Sequence, residues 1–153
     1  MNRRSERETV MSYEEKGTWV YLVVAIVGSG VYLFLVLPEV LSGTPVDEID
    51  YVPVMLWVIG GAIVASIIGR ILVEIFSPSE STRGDIRDKE IDRLGERVGS
   101  SFVVIGALGA LVLAMFDADG FWIANTVYFC FVLSAIVSSI TKIVAYRRGV
   151  PTW

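Results

Sequence analysis

The chain has 153 residues, 54% of them apolar, a mean hydropathy of +0.61 and a formal net charge of −4. It contains no histidine and a single cysteine. The commonest general base and metal ligand is therefore missing, and neither an intrachain disulfide nor a dithiol pair can form. Apolar content this high, with charge gathered into separate blocks, excludes an ordinary water-soluble domain.

Residues 1–17 form a charged N-terminal segment with Arg3, Arg4, Arg7 and Lys16. A membrane domain is expected over 18–148, followed by a short tail at 149–153. A hydrocarbon core of roughly 30 Å needs about 20 helical residues. Four runs meet that need: 19–37, 52–76, 98–116 and 121–146. None alternates in polarity, so none reads as a barrel strand. The first run is too long for a signal-peptide core and lacks a convincing small-x-small cleavage site, so it reads as a retained span. The expected fold is an all-α, integral membrane four-helix bundle.

The loop after the first run is acidic, with Glu39, Asp47, Glu48 and Asp50. The second run carries Gly61, Ala65 and Gly69 at four-residue intervals, a ridge suited to close helix packing. It also carries Arg70 and, one turn later, Glu74. Counting from Pro53, Arg70 lies roughly 25 Å down the helix. That depth lets its guanidinium reach back to the headgroups. Glu74 in the last turn opposes the helix dipole, and Arg before Glu is the poorer order for an i, i+4 pair. A cation from elsewhere is expected near Glu74, and Lys142 and Arg97 have similar depth. Arg70, Glu74, Arg97 and Lys142 thus form a candidate intramembrane charge layer.

The connector at 77–97 opens with turn chemistry, "SPSESTRG". Asp85 can cap a short amphipathic helix there, with Ile91, Leu94 and Val98 on one face. That helix either lies on the membrane surface or runs into the third span. Its charges alternate in sign, which does not suit nucleic acid. The third run carries Gly99, Gly106, Ala110 and Ala114 on one face. "DADG" at 117–120 makes a tight turn and lacks the later ligands of a calcium loop. The fourth run has a weakly polar seam of Ser134, Ser138, Thr141 and Ala145. Cys130 sits inside it as a small apolar filler.

All thirteen Lys and Arg residues fall on one side of this four-span arrangement, and the two loops on the other side are acidic. The positive-inside rule places both termini and the connector in the cytoplasm. Trp19, Tyr51, Trp122 and Tyr146 stand near span ends, where amphipathic rings favour the headgroup level. "SIIGRILV" (66–73) aligns without gaps on "SSITKIVA" (138–145), matching Arg70 with Lys142. "EEKG" (14–17) and "GERVG" (95–99) hold comparable places before the outgoing spans. This suggests two duplicated hairpins in parallel orientation.

"RGDIRDKEI" (83–91) resembles a segment of small, uncharacterised prokaryotic four-span membrane proteins, Asp-x-Arg-Asp-x-Glu-Ile before the third span. Asp85, Arg87, Asp88, Glu90 and Ile91 match it. The likeness extends from about Arg83 to Arg148. It implies the same fold and a bacterial or archaeal inner membrane, and it carries over no functional residue. The same five residues are candidates for docking a partner.

No phosphate-binding glycine loop, zinc motif or nucleophile elbow occurs. No catalytic, cofactor or metal residues are expected. The expected role is non-enzymatic: a scaffold, accessory subunit or regulator acting through protein contacts. Its expected partners are membrane lipids, further copies of itself, or a membrane or cytoplasmic protein. The alternative is a small transporter or multimeric channel.

Overall fold

Each apolar run becomes one long helix, and the local chemistry at its ends sets where it starts and stops. In the computed structural model, which describes residues 11–76 and 86–149, the order is α1 (Tyr13–Leu41), α2 (Tyr51–Phe76), α3 (Ile86–Met115) and α4 (Gly120–Arg148). Ser12 caps α1 by accepting from the Glu15 N–H at 3.2 Å, and Glu14 and Glu15 occupy the first turn, where the helix dipole favours acids. Pro38 lies inside α1, which runs on only to Leu41. Gly43 then takes a φ of 81°, a left-handed conformation natural to glycine, and turns the chain. α2 tolerates Pro53 because it falls in the first turn, where N–H groups have no intrahelical partner.

The protein is an all-α four-helix bundle, and all four helices are long and apolar enough to cross a membrane. They span 29, 26, 30 and 29 residues. At 1.5 Å per residue each is about 40 Å or more in length. The described part of the connector, 86–97, does not form a separate short helix. From Ile86 it is the leading part of α3, which continues without a break into the apolar run. No proline interrupts it, and its glycines at 95, 99 and 106 are buried on one face together with Ile91. Asp85, with the rest of 77–85, lies outside the described residues.

The close helix pairs are α3 on α4, α1 on α2 and α1 on α4. The close contacts therefore run in the order α2, α1, α4, α3, and α2 and α3 are not a close pair. The closest seam is α3 on α4. A Cβ at Gly106 would collide with the Cys130 side chain, and one at Gly99 would stand 3.0 Å from the Ser134 carbonyl. Glycine lets the two backbones approach at these levels, as helix packing in lipid requires. α2 differs: none of its residues is buried. An apolar groove of about 920 Å³ runs between α1, α2 and α4, lined by residues such as Ala25, Met55, Ile63 and Phe131.

Leu22, Ile91 and Ile143 are buried toward the end that carries the helix starts of α1 and α3, and a second buried cluster lies at the end that carries the α1–α2 and α3–α4 turns. It comprises Tyr32, Val36, Ile49, Phe121 and Tyr128, with Val40, Val46 and Tyr51 against it. Ile49 from the α1–α2 turn folds down onto this cluster and is only 5% exposed. The rings meet at angles rather than face to face: Tyr32 with Tyr128 at 4.8 Å, and Tyr51 with Phe121 at 5.0 Å. Tilted and edge-on contacts of this kind suit the aromatic quadrupole.

Candidate functional site: the charged end of the bundle

The opposite end carries the start of α1 and α3 and the end of α2 and α4. Here α1 supplies Glu14 and Glu15 from its first turn and α4 supplies Arg147 from its last, placements that complement the helix dipoles, while Asp92, Arg70 and Lys142 stand further inside their helices. Among the described residues, three ion pairs join the helices here. Arg70 Nη2 on α2 meets Glu14 Oε2 on α1 at 3.4 Å, with the Tyr13 and Tyr21 side chains beside it. Arg147 Nε on α4 meets Glu15 Oε1 on α1 at 3.8 Å, and the same guanidinium stands 6.0 Å from the Trp19 ring centroid. Lys142 Nζ on α4 meets Asp92 Oδ1 on α3 at 2.7 Å. Each close helix pair is thus clamped once by charge.

The third clamp depends on a glycine. The Lys142 stem lies across Gly95, where a Cβ would stand 2.5 Å from Lys142 Cγ and 3.0 Å from the Ser138 carbonyl. Gly95 lies one turn beyond Asp92 on the same face of α3. The ammonium therefore crosses the bare backbone to reach its carboxylate.

The expected charge layer is divided by this arrangement. Arg70 pairs with Glu14 and Lys142 with Asp92. Glu74 and Arg97 are both exposed, and among the described residues neither takes part in an ion pair. The reason is the helix pairing: α2 and α3, which carry Glu74 and Arg97, are not a close pair. Glu14, Glu15 and Asp92, the acids that do pair, went unrecognised because the sequence does not say which helices are neighbours. The signal available was the cap Ser12 followed by two acids at the mouth of a span.

The matched segment contacts α4 along one side, although Arg87 is itself exposed. Arg87 Nη2 donates to the Tyr146 carbonyl at 3.1 Å, and the Tyr146 side chain hydrogen-bonds to Asp88. Ile91 is completely buried. Glu90 is exposed. The segment therefore fastens the start of α3 to the end of α4, and Lys89, Glu90 and Arg93 face outward.

The candidate packing residues divide in the same way. Gly69 packs on Val20, Gly106 on Cys130, and Ala110 is half-buried. Gly61, Ala65 and Ala114 are exposed, and a Cβ at Gly61 would meet open space. Gly61 and Ala65 instead line a groove beside α1. At the other end of the bundle, the buried Tyr32 hydroxyl donates to Asn125 Oδ1 at 2.8 Å, and Asn125 Nδ2 donates to the Phe121 carbonyl at 2.8 Å. This polar lock joins α1 to α4 inside an apolar surrounding, where every polar group needs a partner.

Among the described residues, no group of three His, Cys, Asp or Glu side chains is placed to hold a metal ion. Comparison with protein-family models, with curated proteins and with solved structures found no match.

Proposed function

We propose that this is a non-enzymatic integral protein of the prokaryotic cytoplasmic membrane, with both termini in the cytoplasm, acting through protein contacts as a scaffold, accessory subunit or regulator. The observation that carries the reading is α2. It is an apolar helix of 26 residues with none of them buried, and it packs closely on α1 alone. A helix with so little committed to its own chain has a whole face to offer a neighbour in the membrane. The charged groups favour the same reading. Arg70, Lys142 and Arg147 hold helices together at one end, and the grooves between the helices are lined almost wholly by apolar side chains.

The test is purification in mild detergent followed by mass measurement of the intact particle. A mass above that of one chain, from copies or from a co-purifying protein, is the expected result. A single chain with no partner, together with ion or solute flux in reconstituted liposomes that Glu74→Gln abolishes, would replace this reading with a transporter.

A further inference from the structure

Two contacts of the first hairpin recur in the second at a fixed spacing, although the approach of Lys142 to Gly95 has no counterpart at Gly17. Adding 78 to a number in α1 and 72 to a number in α2 carries the ion pair Glu14–Arg70 onto Asp92–Lys142. The same two offsets carry the ordinary contact of Gly28 with Val58 onto the closer one of Gly106 with Cys130. An ion pair at one end and a glycine seam near mid-span thus obey one rule. That rule matches "EEKG" with "DRLG" (92–95), three residues earlier than the placement expected from sequence alone.

The rule also identifies a surface that lacks its counterpart. Within the chain the two hairpins meet through α1 and α4: Glu15 and Trp19 meet Arg147, and Tyr32 meets Asn125 and Tyr128. Shifted by 78, the α1 positions become Arg93, Arg97 and Ala110 on α3. Shifted back by 72, the α4 positions become Ile75, Pro53 and Leu56 on α2, with Glu74 adjoining Ile75. α2 and α3 do not form a close pair within the chain. All these residues except the half-buried Ala110 are exposed.

The charges on the two bare faces are complementary. Where α1 offers an acid to a cation of α4, α3 offers Arg93 and Arg97, and α2 offers Glu74. Among the described residues none of the three has an ion-pair partner. A lone carboxylate in the last turn of a helix is unfavourable, and a cation opposite it removes that penalty.

We infer that α2 of one copy docks on α3 of a second copy, with Glu74 set against Arg93 and Arg97, repeating between chains the contact that α1 and α4 make within one. The inference rests on the protein-contact reading above and names the partner. The two faces differ, so the contact is heterologous. It gives a ring where the rotation closes and a row where it does not. The apolar part of the interface is Pro53 and Leu56 against the small side chains along α3, which permit close approach.

The experiment uses the full-length protein with Cys130→Ser, so that introduced cysteines are the only thiols. One copy carries Glu74→Cys and one tag; the other carries Arg97→Cys and a second tag. After co-expression, membranes are treated with a short bis-maleimide. The expected result is a dimer bearing both tags, exceeding 74–74 and 97–97 products at least several-fold. Glu74→Arg alone and Arg97→Glu alone should each lower the particle mass in mild detergent, and the two together should restore it. A cross-link within single chains of the Glu74→Cys/Arg97→Cys variant, without the mixed dimer, would overturn the inference by showing that the bundle closes on itself. An unmodified protein that is monomeric in mild detergent would also overturn it. If that monomer carries a different protein, the contact reading survives; if it carries none, both fail.

Discussion

Lys142 lies across Gly95 on its way to Asp92: a Cβ at residue 95 would stand 2.5 Å from Lys142 Cγ, and the ammonium ends 2.7 Å from the carboxylate. The pair and the glycine are one device, since any side chain at 95 displaces the lysine stem. Gly95→Ala should destabilise the protein by about 1–3 kcal/mol, the usual range for overpacking. Gly61→Ala is the control. Its Cβ meets open space, so only the gain in helix propensity, up to ~1 kcal/mol, remains. Reversible unfolding in mixed micelles measures both.

At mid-span the seam is closer still. Gly106→Val should cost more than Gly95→Ala, because its Cβ would meet the base of the Cys130 side chain rather than a flexible stem. Gly28→Ala should be mild. Its Cβ would make ordinary contacts with Val58 at 3.7 Å and Ala62 at 3.9 Å. If Gly28→Ala proved the more damaging of the two, the assigned α3–α4 seam would be wrong.

Tyr32→Phe removes the donor to Asn125 and leaves its carbonyl oxygen unpaired in a buried place. The expected loss is about 1 kcal/mol, and a double-mutant cycle with Asn125→Leu should give a coupling of about 0.6–1.7 kcal/mol, the range for hydrogen bonds between membrane helices. A coupling near zero would remove the lock between α1 and α4.

The ion pairs should act weakly and pairwise. A cycle of Asp92→Asn with Lys142→Met should show coupling of up to ~1 kcal/mol, since Asp92 is more than half exposed. Asp92→Lys combined with Lys142→Asp should recover part of the loss of either change alone. Glu74→Gln should leave the Arg70–Glu14 contact untouched, because Glu74 is not its partner. That outcome can be read from the thermal stability of the Glu74→Gln and Arg70→Met variants and their combination, which should add without coupling.

The four helices were legible because a bilayer imposes a length that four apolar runs meet; their ends were not, since the cap at Ser12 and the turn at Gly43 lie outside those runs. Arg70 and Lys142 were legible as equivalent cations because their surroundings repeat. Their partners were not, since Glu14 and Asp92 are matched to them only by helix adjacency. Gly61 and Ala65 illustrate the same limit: a ridge of small residues shows where a helix could approach, and only the fold shows that α1 meets Val58 and Gly69 instead. Tyr32 and Asn125 are hidden among apolar neighbours in their runs, and the sequence's one sign of their hydrogen bond is an asparagine within a span.

The unbroken run of α3 from Ile86 to Met115 has a mechanical corollary. The helix is about 45 Å long and has no proline or break to hinge it between its charged lead and its apolar run. The leading residues of α3 and its apolar run therefore move as one body, and any tilt at Lys89 and Glu90 is shared by Met115 and by α4 packed alongside.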